Sequence, residues 1–183
     1  MPAETVPSRS PARSCVAPTR IRRQHGDGLD LVAVESSPVS ELHLTVTPMP
    51  GESINAMARR LAEALNPWDA TVVRQFVFGS ATAYQATLKT LRQALEDPDL
   101  PVAWVEGADC GGHAIAGMQT HAIAGARVRT LSGNGRSLAR TWEDALATHC
   151  VVNSILPTRS PATPPEQARE VFEKLQTGLA SAA

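Results

Sequence analysis

The sequence predicts an α+β domain in which one mixed β-sheet carries two helices on the same face. Short stretches rich in β-branched, aromatic or alternating apolar residues indicate strands, and two apolar stripes at helical spacing indicate amphipathic helices. The resulting order is β-β-α-β-α-β-β. Because only two helices interrupt the strands, we expect a single sheet with both helices on one side.

Each element has a local signal. Residues 41–47 alternate apolar and polar side chains, which is typical of a half-buried strand, and Ser53 is a suitable N-cap for the helix that follows. A second helix over 82–96 carries apolar residues at spacings of four, three and four, and Pro98 ends it. The predicted strands of the sheet are 29–35, 41–47, 71–79, 101–107 and 115–125.

The C-terminal part predicts a partial repeat of this unit. A hairpin with an Asn134-Gly135 turn precedes a strand over 148–155, and Thr163 with Glu166 forms a capping box that opens a helix. This strand and helix align with the first strand-helix pair of the domain. We therefore expect a strand-helix partial repeat that either docks on the first unit, extending its sheet at an edge, or pairs with a second chain. The short connection over 126–147 favours docking within the chain. The predicted division is a disordered basic tail over 1–28, a first α+β domain over 29–131 and a partial second unit over 132–183.

Composition and charge exclude several classes of protein. The 183 residues carry a formal charge of −1, but the first 25 residues are arginine-rich, so the folded part is mildly acidic and a poor nucleic-acid surface. No apolar run approaches the roughly 18 residues of a membrane span. Three cysteines without a CxxC motif favour a reducing compartment, and we expect a cytoplasmic protein. The basic tail is interpreted as solvated and disordered, with a transit peptide or an over-long start as alternatives.

Three passages, in this order, resemble the Rid family, also called the YjgF/UK114 family. They are ELHLTVTP at 41–48 with its helix, TVVRQFVFG at 71–79, and LPVAWVEG at 100–107 followed by MQTHAIAG at 118–125. The resemblance implies a chorismate-mutase-like α+β unit, a homotrimer with clefts between subunits, and hydrolysis of imines or enamines derived from amino acids. Tandem members would pack two units per chain, and chorismatases also contain Rid-like domains. We expect no cofactor.

The resemblance also locates two functional positions. In the deaminating members, an arginine on the strand after the second helix binds the substrate carboxylate, and a glutamate on the next strand positions water. The arginine position falls on Val102 or Ala103 here, and the glutamate position falls on His121. A histidine can act as a base near neutral pH. Without the arginine, we expect negligible activity on the usual imino acids.

The candidate catalytic residues are His121, Glu106 and Cys110, because polar groups concentrate in this part of the sequence. Cys110 and His113 could form a thiol with its base on a glycine-containing loop. The candidate substrate-binding residues are Arg74, Trp104, His113, Arg140 and Trp142. Each of these candidates also has a structural explanation. Arg74 could reach solvent past the sheet, and the loop with Cys110 and His113 could be a plain glycine turn. Arg140 and Trp142 could belong to a surface turn whose polar groups are satisfied by one another.

No metal site is predicted from the sequence. His113 and His121 would lie roughly 27 Å apart on one continuous strand. Cys110 with His113 lacks a third ligand. His43 and His149 alternate with apolar strand residues, so we expect structural roles for both.

Several functions remain compatible with the sequence. The first is a Rid-like enzyme, a hydrolase or deaminase, that acts on a small metabolite with altered residues. The others are a catalytically inactive Rid-like binding or assembly module, a truncated part of a tandem protein, and a chorismatase-like hydrolase. The expected partners are a small-molecule ligand and further copies of the chain, most simply as a trimer, because the sheet face opposite the helices carries apolar residues. Neither nucleic acid nor a membrane is expected as a partner.

Overall fold

A six-stranded mixed sheet forms the centre of the fold. The computed structural model describes residues 18–107, 112–133, 136–153, 155 and 163–180. The strands of this sheet are β1 (Arg20–Gly26), β2 (Leu29–Glu35), β3 (Ser40–Val46), β4 (Thr71–Gly79), β5 (Val102–Glu106) and β6 (Ile115–Ala124). Their spatial order is β1-β2-β3-β6-β4-β5, and every neighbouring pair is antiparallel except β4 and β5.

Two helices, α1 (Ile54–Leu65) and α2 (Tyr84–Ala94), cover one face of this sheet. Ser53 is the N-cap of α1, and its side chain accepts a hydrogen bond from the Ala56 N–H at 3.2 Å, as the sequence predicts. The core between helices and sheet is apolar on both sides. It includes Leu31, Leu44, Val46, Met57, Leu61, Val77, Leu91, Met118 and Ala122. The predicted fold class, a mixed sheet with two helices on one face, is confirmed.

Three further strands form a separate antiparallel sheet, followed by a helix. They are β7 (Arg129–Gly133), β8 (Arg136–Glu143) and β9 (Thr148–Val152), in the order β7-β8-β9, and the helix is α3 (Pro164–Ala180). The predicted capping box is present, because the Thr163 N–H donates to Glu166 at 2.8 Å. The boundary that we expected between residues 131 and 132 falls inside β7, and the division into two units remains a prediction.

The small sheet packs against the face of the large sheet that the helices leave uncovered. Trp142 and Val151 contact a second apolar cluster that includes Val73 and Ile123. The side-chain amide of Asn153 donates to the Val73 carbonyl oxygen at 3.1 Å. The expectation that the C-terminal part extends the large sheet at an edge is therefore wrong. Packing on this face buries Trp142 and Val151 against Val73 and Ile123, apolar contacts that pairing at an edge strand would not provide.

The expected disordered tail is also corrected in part, because residues 20–26 form strand β1. This strand pairs with β2 through the two-residue turn Asp27-Gly28, whose φ values are 51° and 66°. Positive φ at both positions is the conformation of a type I′ hairpin turn. β1 is exposed at every position and forms an edge of the large sheet. Residues 1–17 lie outside the described part of the chain.

Within the residues that the structure describes, no helix is long and apolar enough to cross a membrane.

Candidate functional site

A row of three polar side chains crosses the sheet face opposite the helices. His43 of β3 lies directly opposite His121 of β6, and His121 lies opposite Arg74 of β4. Directly opposed residues of antiparallel strands point to the same face, with Cβ atoms about 4.5–5.5 Å apart. The neighbouring Ala122 packs into the helix-side core, so His121 points away from the helices. A register shift in β4 just before Arg74 keeps this arginine in the row.

Glu41 joins this row from β3, two residues before His43 and therefore on the same face. Its Oε2 atom lies 3.4 Å from His121 Nε2 and 3.6 Å from His43 Nε2. The two imidazole rings stack, with centroids 4.6 Å apart and planes inclined by 14°. We name Glu41, His43 and His121 the imidazole cluster. Three potential metal ligands therefore converge at a position where the sequence analysis predicted none.

The small sheet contributes an aromatic wall beside the imidazole cluster. The edge of Trp142 approaches the ring of His121 with centroids 6.1 Å apart. Its other neighbour is His149, whose ring stacks on the indole at 5.0 Å. His149 Nε2 in turn lies 2.7 Å from a carboxylate oxygen of Asp144, which holds its orientation. The bonds to Leu146 N–H, His149 and Ala147 N–H lower the pKa of Asp144, in that order of importance.

Burial is the main influence on the electrostatics of His121. Burial lowers the pKa of His121 below its usual value, the proximity of His43 and Arg74 acts in the same direction, and Glu41 opposes them. The net effect favours the neutral imidazole at pH 7, which has an available lone pair. His121 Nε2 is buried, and its contact with Glu41 does not have hydrogen-bond geometry; no other described residue provides a hydrogen bond.

Arg74 places a positive charge next to the position where the Rid resemblance implies an arginine. Its guanidinium carbon lies 5.7 Å from the centroid of the Phe76 ring. Phe76 is the direct partner of Ala103 on the parallel strand β5. Since Val77 packs into the helix-side core, Phe76 lies on the same face as Arg74. Arg74 and Ala103 are therefore close neighbours on this face of the sheet.

Three of the predicted site residues come together on this face: His121, Arg74 and Trp142. Trp104 instead packs against the helix-side core and makes an edge contact with Tyr84 at 5.3 Å. Glu106 is exposed at the end of β5, where its partner is Gly79.

Two further candidates lie around the loop before β6. His113 is half-buried in this loop, outside the row of polar side chains. Cys110 lies outside the described residues, so the expected thiol–imidazole pair stays a prediction.

Arg140 connects the two sheets. Its guanidinium is buried, donates to the Val72 carbonyl oxygen and lies 2.7 Å from a carboxylate oxygen of Asp97. It also lines a cleft of about 690 Å³ together with the acidic residues Glu63 and Glu96. The imidazole cluster does not line this cleft. These bonds give Arg140 a structural role in holding the small sheet in place, while its predicted role in substrate binding has no contact that supports it.

Sequence reasoning missed Glu41 and the functional placement of His43 and His149. Glu41 and His43 stand at alternating positions of β3 that point away from the helix-side core, and this signal was visible in the sequence. His149 instead lies on the same face of β9 as Val151, toward the second apolar cluster. The pairing of β3 with β6 was not visible, because these strands are separated by about 70 residues of sequence. Without that pairing, His43 and His121 could not be brought together.

Comparisons with known proteins identify the fold. No protein family and no curated protein matches the chain. A crystal structure of a chorismatase matches with a TM-score of 0.59 and 11% identity, over 84% of this chain and 56% of the chorismatase. The chain has a chorismatase-like fold. A proposed translation initiation inhibitor from Salmonella typhimurium matches with a TM-score of 0.40 and 11% identity, over 57% of this chain and 96% of that protein.

The chain spans little more than half the length of the chorismatase that it matches. At 11% identity, the likeness concerns the backbone fold and carries no information about the reaction.

Proposed function

We propose that this chain is a Rid-like hydrolase that binds a small anionic metabolite on the sheet face formed by Arg74, the imidazole cluster and Trp142. The observation that carries the proposal is that Arg74 and Glu41 lie on this face, on either side of His121. They offer the two groups that the Rid resemblance calls for, a cation for the substrate and a carboxylate for the water. Arg74 lies on β4, next to β5, where the resemblance implies the arginine, and Glu41 lies on β3, next to β6, where it implies the glutamate.

Arg74 is proposed to bind the substrate carboxylate. A guanidinium offers two parallel N–H donors to a carboxylate, a geometry that lysine does not provide. The aromatic ring of Phe76 beneath the guanidinium holds its plane. The expectation of negligible activity rests on the missing arginine at the family's position, Val102 or Ala103; under this proposal Arg74 takes that role from β4.

The proposed reaction is the hydrolysis of an imine. Glu41 orients a water molecule, whose oxygen bonds to the imine carbon. Addition turns the carbon–nitrogen double bond into a single bond and gives a carbinolamine, with one proton of the water moving to the nitrogen. The remaining carbon–nitrogen bond then breaks as the hydroxyl proton also moves to the nitrogen, and the products are a carbonyl compound and ammonia. No oxidant or reductant is needed. Trp142 excludes bulk water from one side of this position, which strengthens the charge interactions there.

An assay of 2-aminoacrylate hydrolysis by the full chain tests this proposal. We expect turnover well above the buffer rate, a loss of about 100-fold or more in kcat/KM for Arg74→Gln, and only partial recovery in Arg74→Lys. Arg59→Gln is the matched control, because Arg59 is an exposed arginine on α1. Equal activity of Arg74→Gln and the native chain would overturn the role of Arg74.

The same variants separate the proposed enzyme from an inactive binding module. Binding of a carboxylate-bearing ligand without any turnover would favour the binding module, and chorismate belongs in the assay because the chorismatase shares the fold. Binding that Arg74→Gln abolishes would still locate the ligand on this face. Turnover of chorismate alone would replace the imine reaction with a chorismatase-like one.

A further inference from the structure

We propose that the imidazole cluster, Glu41, His43 and His121, binds one divalent transition-metal ion of the Zn²⁺ class. The three ligand atoms, one imidazole nitrogen from each histidine and one carboxylate oxygen, all lie within 4.8 Å of one another. Two histidines and one glutamate are a ligand set found in catalytic zinc sites, where water or substrate occupies the remaining position. Metal binding itself does not depend on the proposed function; only the role of the metal in hydrolysis rests on it.

The distances within the cluster suit a shared ion better than direct hydrogen bonds. Hydrogen bonds between nitrogen and oxygen have lengths of about 2.7–3.2 Å. The Glu41 oxygen lies 3.4 Å and 3.6 Å from the two Nε2 atoms. A tetrahedral ion with bonds of about 2.0–2.1 Å separates its ligand atoms by about 3.4 Å. The distances from the Glu41 oxygen to the two nitrogens therefore already match those of a shared ion, while the His43 ring must turn out of its stack on His121 for its lone pair to reach the ion.

The state of His121 Nε2 is the second observation that points to a ligand. This atom is buried, and among the described residues none gives it a hydrogen bond of good geometry. Its nearest partner, the Glu41 carboxylate oxygen, lies 3.4 Å away and is poorly aligned, so this buried nitrogen is incompletely satisfied, and metal coordination would satisfy it. The His121 side chain retains only 21% of its exposure, whereas that of His43 retains 52%. His43 can therefore rotate out of the stacked arrangement so that both lone pairs meet at one ion.

The charges around the cluster permit a dication. With neutral imidazoles, Glu41 gives the cluster one negative charge. Arg74 of β4 is the positive group next to the cluster, as the direct partner of His121, and its guanidinium carbon lies 5.7 Å from the centroid of the Phe76 ring. On the far side of Trp142, Asp144 contacts His149 and not the cluster. Among the described residues, no lysine or arginine forms an ion pair with Glu41, so its carboxylate is available to a metal ion.

The proposed metal deepens the hydrolytic function of this face. A bound Zn²⁺ lowers the pKa of a coordinated water to about 7 and so provides a nucleophile near neutral pH. The open coordination position would face the substrate bound by Arg74. With a metal bound, Glu41 would be a ligand of the ion. The metal would then orient the attacking water, which is the role that Glu41 has in the metal-free reaction proposed above.

The first experiment measures metal binding without reference to activity. Untagged full-length protein is stripped with a chelator and titrated with Zn²⁺ by calorimetry and with Co²⁺ by visible absorption. We expect one ion per chain and the strong absorption of a four-coordinate Co²⁺ site. We expect His121→Ala, His43→Ala and Glu41→Gln each to weaken binding by about 100-fold or more.

His149→Ala is the matched control, because this histidine stacks on the other side of Trp142 and is not a proposed ligand. Glu41→Gln preserves shape at a half-exposed position, so its folding should match that of the native chain. No binding at micromolar concentrations, or binding that the three variants leave unchanged, would overturn the proposal. Turnover that survives complete chelation would overturn its catalytic part, whereas metal binding without turnover would contradict the proposed hydrolysis alone.

Discussion

Arg60 shows how one side chain can determine the geometry of three chain segments. Its guanidinium donates to both carboxylate oxygens of Glu52, at 3.1 and 2.6 Å, and to the backbone carbonyl oxygens of Thr47 and Asp27. It thereby ties the β1–β2 turn and the end of β3 to the start of α1. Both partners of the ion pair are largely buried. Removing one partner of a buried ion pair leaves the other charge without compensation.

We predict that Arg60→Met lowers the free energy of unfolding by about 3 kcal/mol, because Glu52 then loses its cation and two carbonyl groups lose their donor. Urea denaturation monitored by circular dichroism measures the change. Arg59→Met, one residue earlier and exposed, is the control and should shift stability by less than about 0.5 kcal/mol. Equal stability of the two variants would show that the Arg60 network contributes little.

At the residue scale, the sequence could predict the direction of a side chain but not its cross-strand neighbour. Alternation along β3 indicated that His43 points away from the helix-side core, which the structure bears out, and the position of Arg74 between apolar residues marked it as unusual. Glu41 shares this alternation with His43. Their proximity to His121 depends on the β3–β6 pairing, which brings together residues far apart in the sequence.

At the scale of elements, the docking of the small sheet depends on β8 and β9 and not on α3. Trp142 of β8 and Val151 of β9 pack on the large sheet, and Asn153 anchors the end of β9 to the Val73 carbonyl oxygen. α3 has no buried residue, and its apolar side chains Phe172 and Leu179 are 64% and 45% exposed. The two parts of the C-terminal segment should therefore contribute unequally to stability.

We predict that deleting 148–183 lowers the free energy of unfolding by about 2–3 kcal/mol, because it removes the packing of Val151, the Asn153 hydrogen bond and the partner strand of β8. Deleting only 163–183 is the control, and it should change stability by less than about 0.5 kcal/mol. Thermal denaturation of the two truncated chains measures the difference. Equal melting temperatures for the longer truncation and the full chain would show that β9 is not part of the same folding unit.

Element boundaries in the first unit agreed with the sequence because strand alternation, helix stripes and caps are local signals. β1 was missed for a different reason: its arginine-rich composition suggested disorder, although Asp27-Gly28 between two strand-like segments is a hairpin signal. The prediction that the C-terminal part docks at an edge was wrong because Arg140 and Trp142 alternate along β8 and share the face that packs on the large sheet. Both are buried between the sheets.

At the scale of the whole molecule, the small sheet covers only part of the free face. On the remaining part, Phe76 and Phe78 of β4 are half-buried, and Val105 of β5 is 41% exposed. These three side chains lie on the face opposite the helices, since the alternating residues Val77 and Trp104 pack toward the helix-side core. Contiguous apolar surface of this kind is typical of a contact between subunits.

We predict that the chain forms an oligomer, most simply a trimer, through this remaining apolar surface. Val105→Glu should shift the chain toward the monomer, because a carboxylate buried in the contact would lack a partner. Leu146→Glu is the control, since Leu146 is a highly exposed apolar residue on the turn between β8 and β9, away from this surface. Sedimentation equilibrium at micromolar concentration measures the mass of each form. A native chain that sediments as a stable monomer, or a Val105→Glu variant with the native mass, would contradict the proposed contact.

Because Arg74 adjoins Phe76, loss of the oligomer should also weaken ligand binding on this face. A binding titration should then show weaker binding for Val105→Glu than for Leu146→Glu.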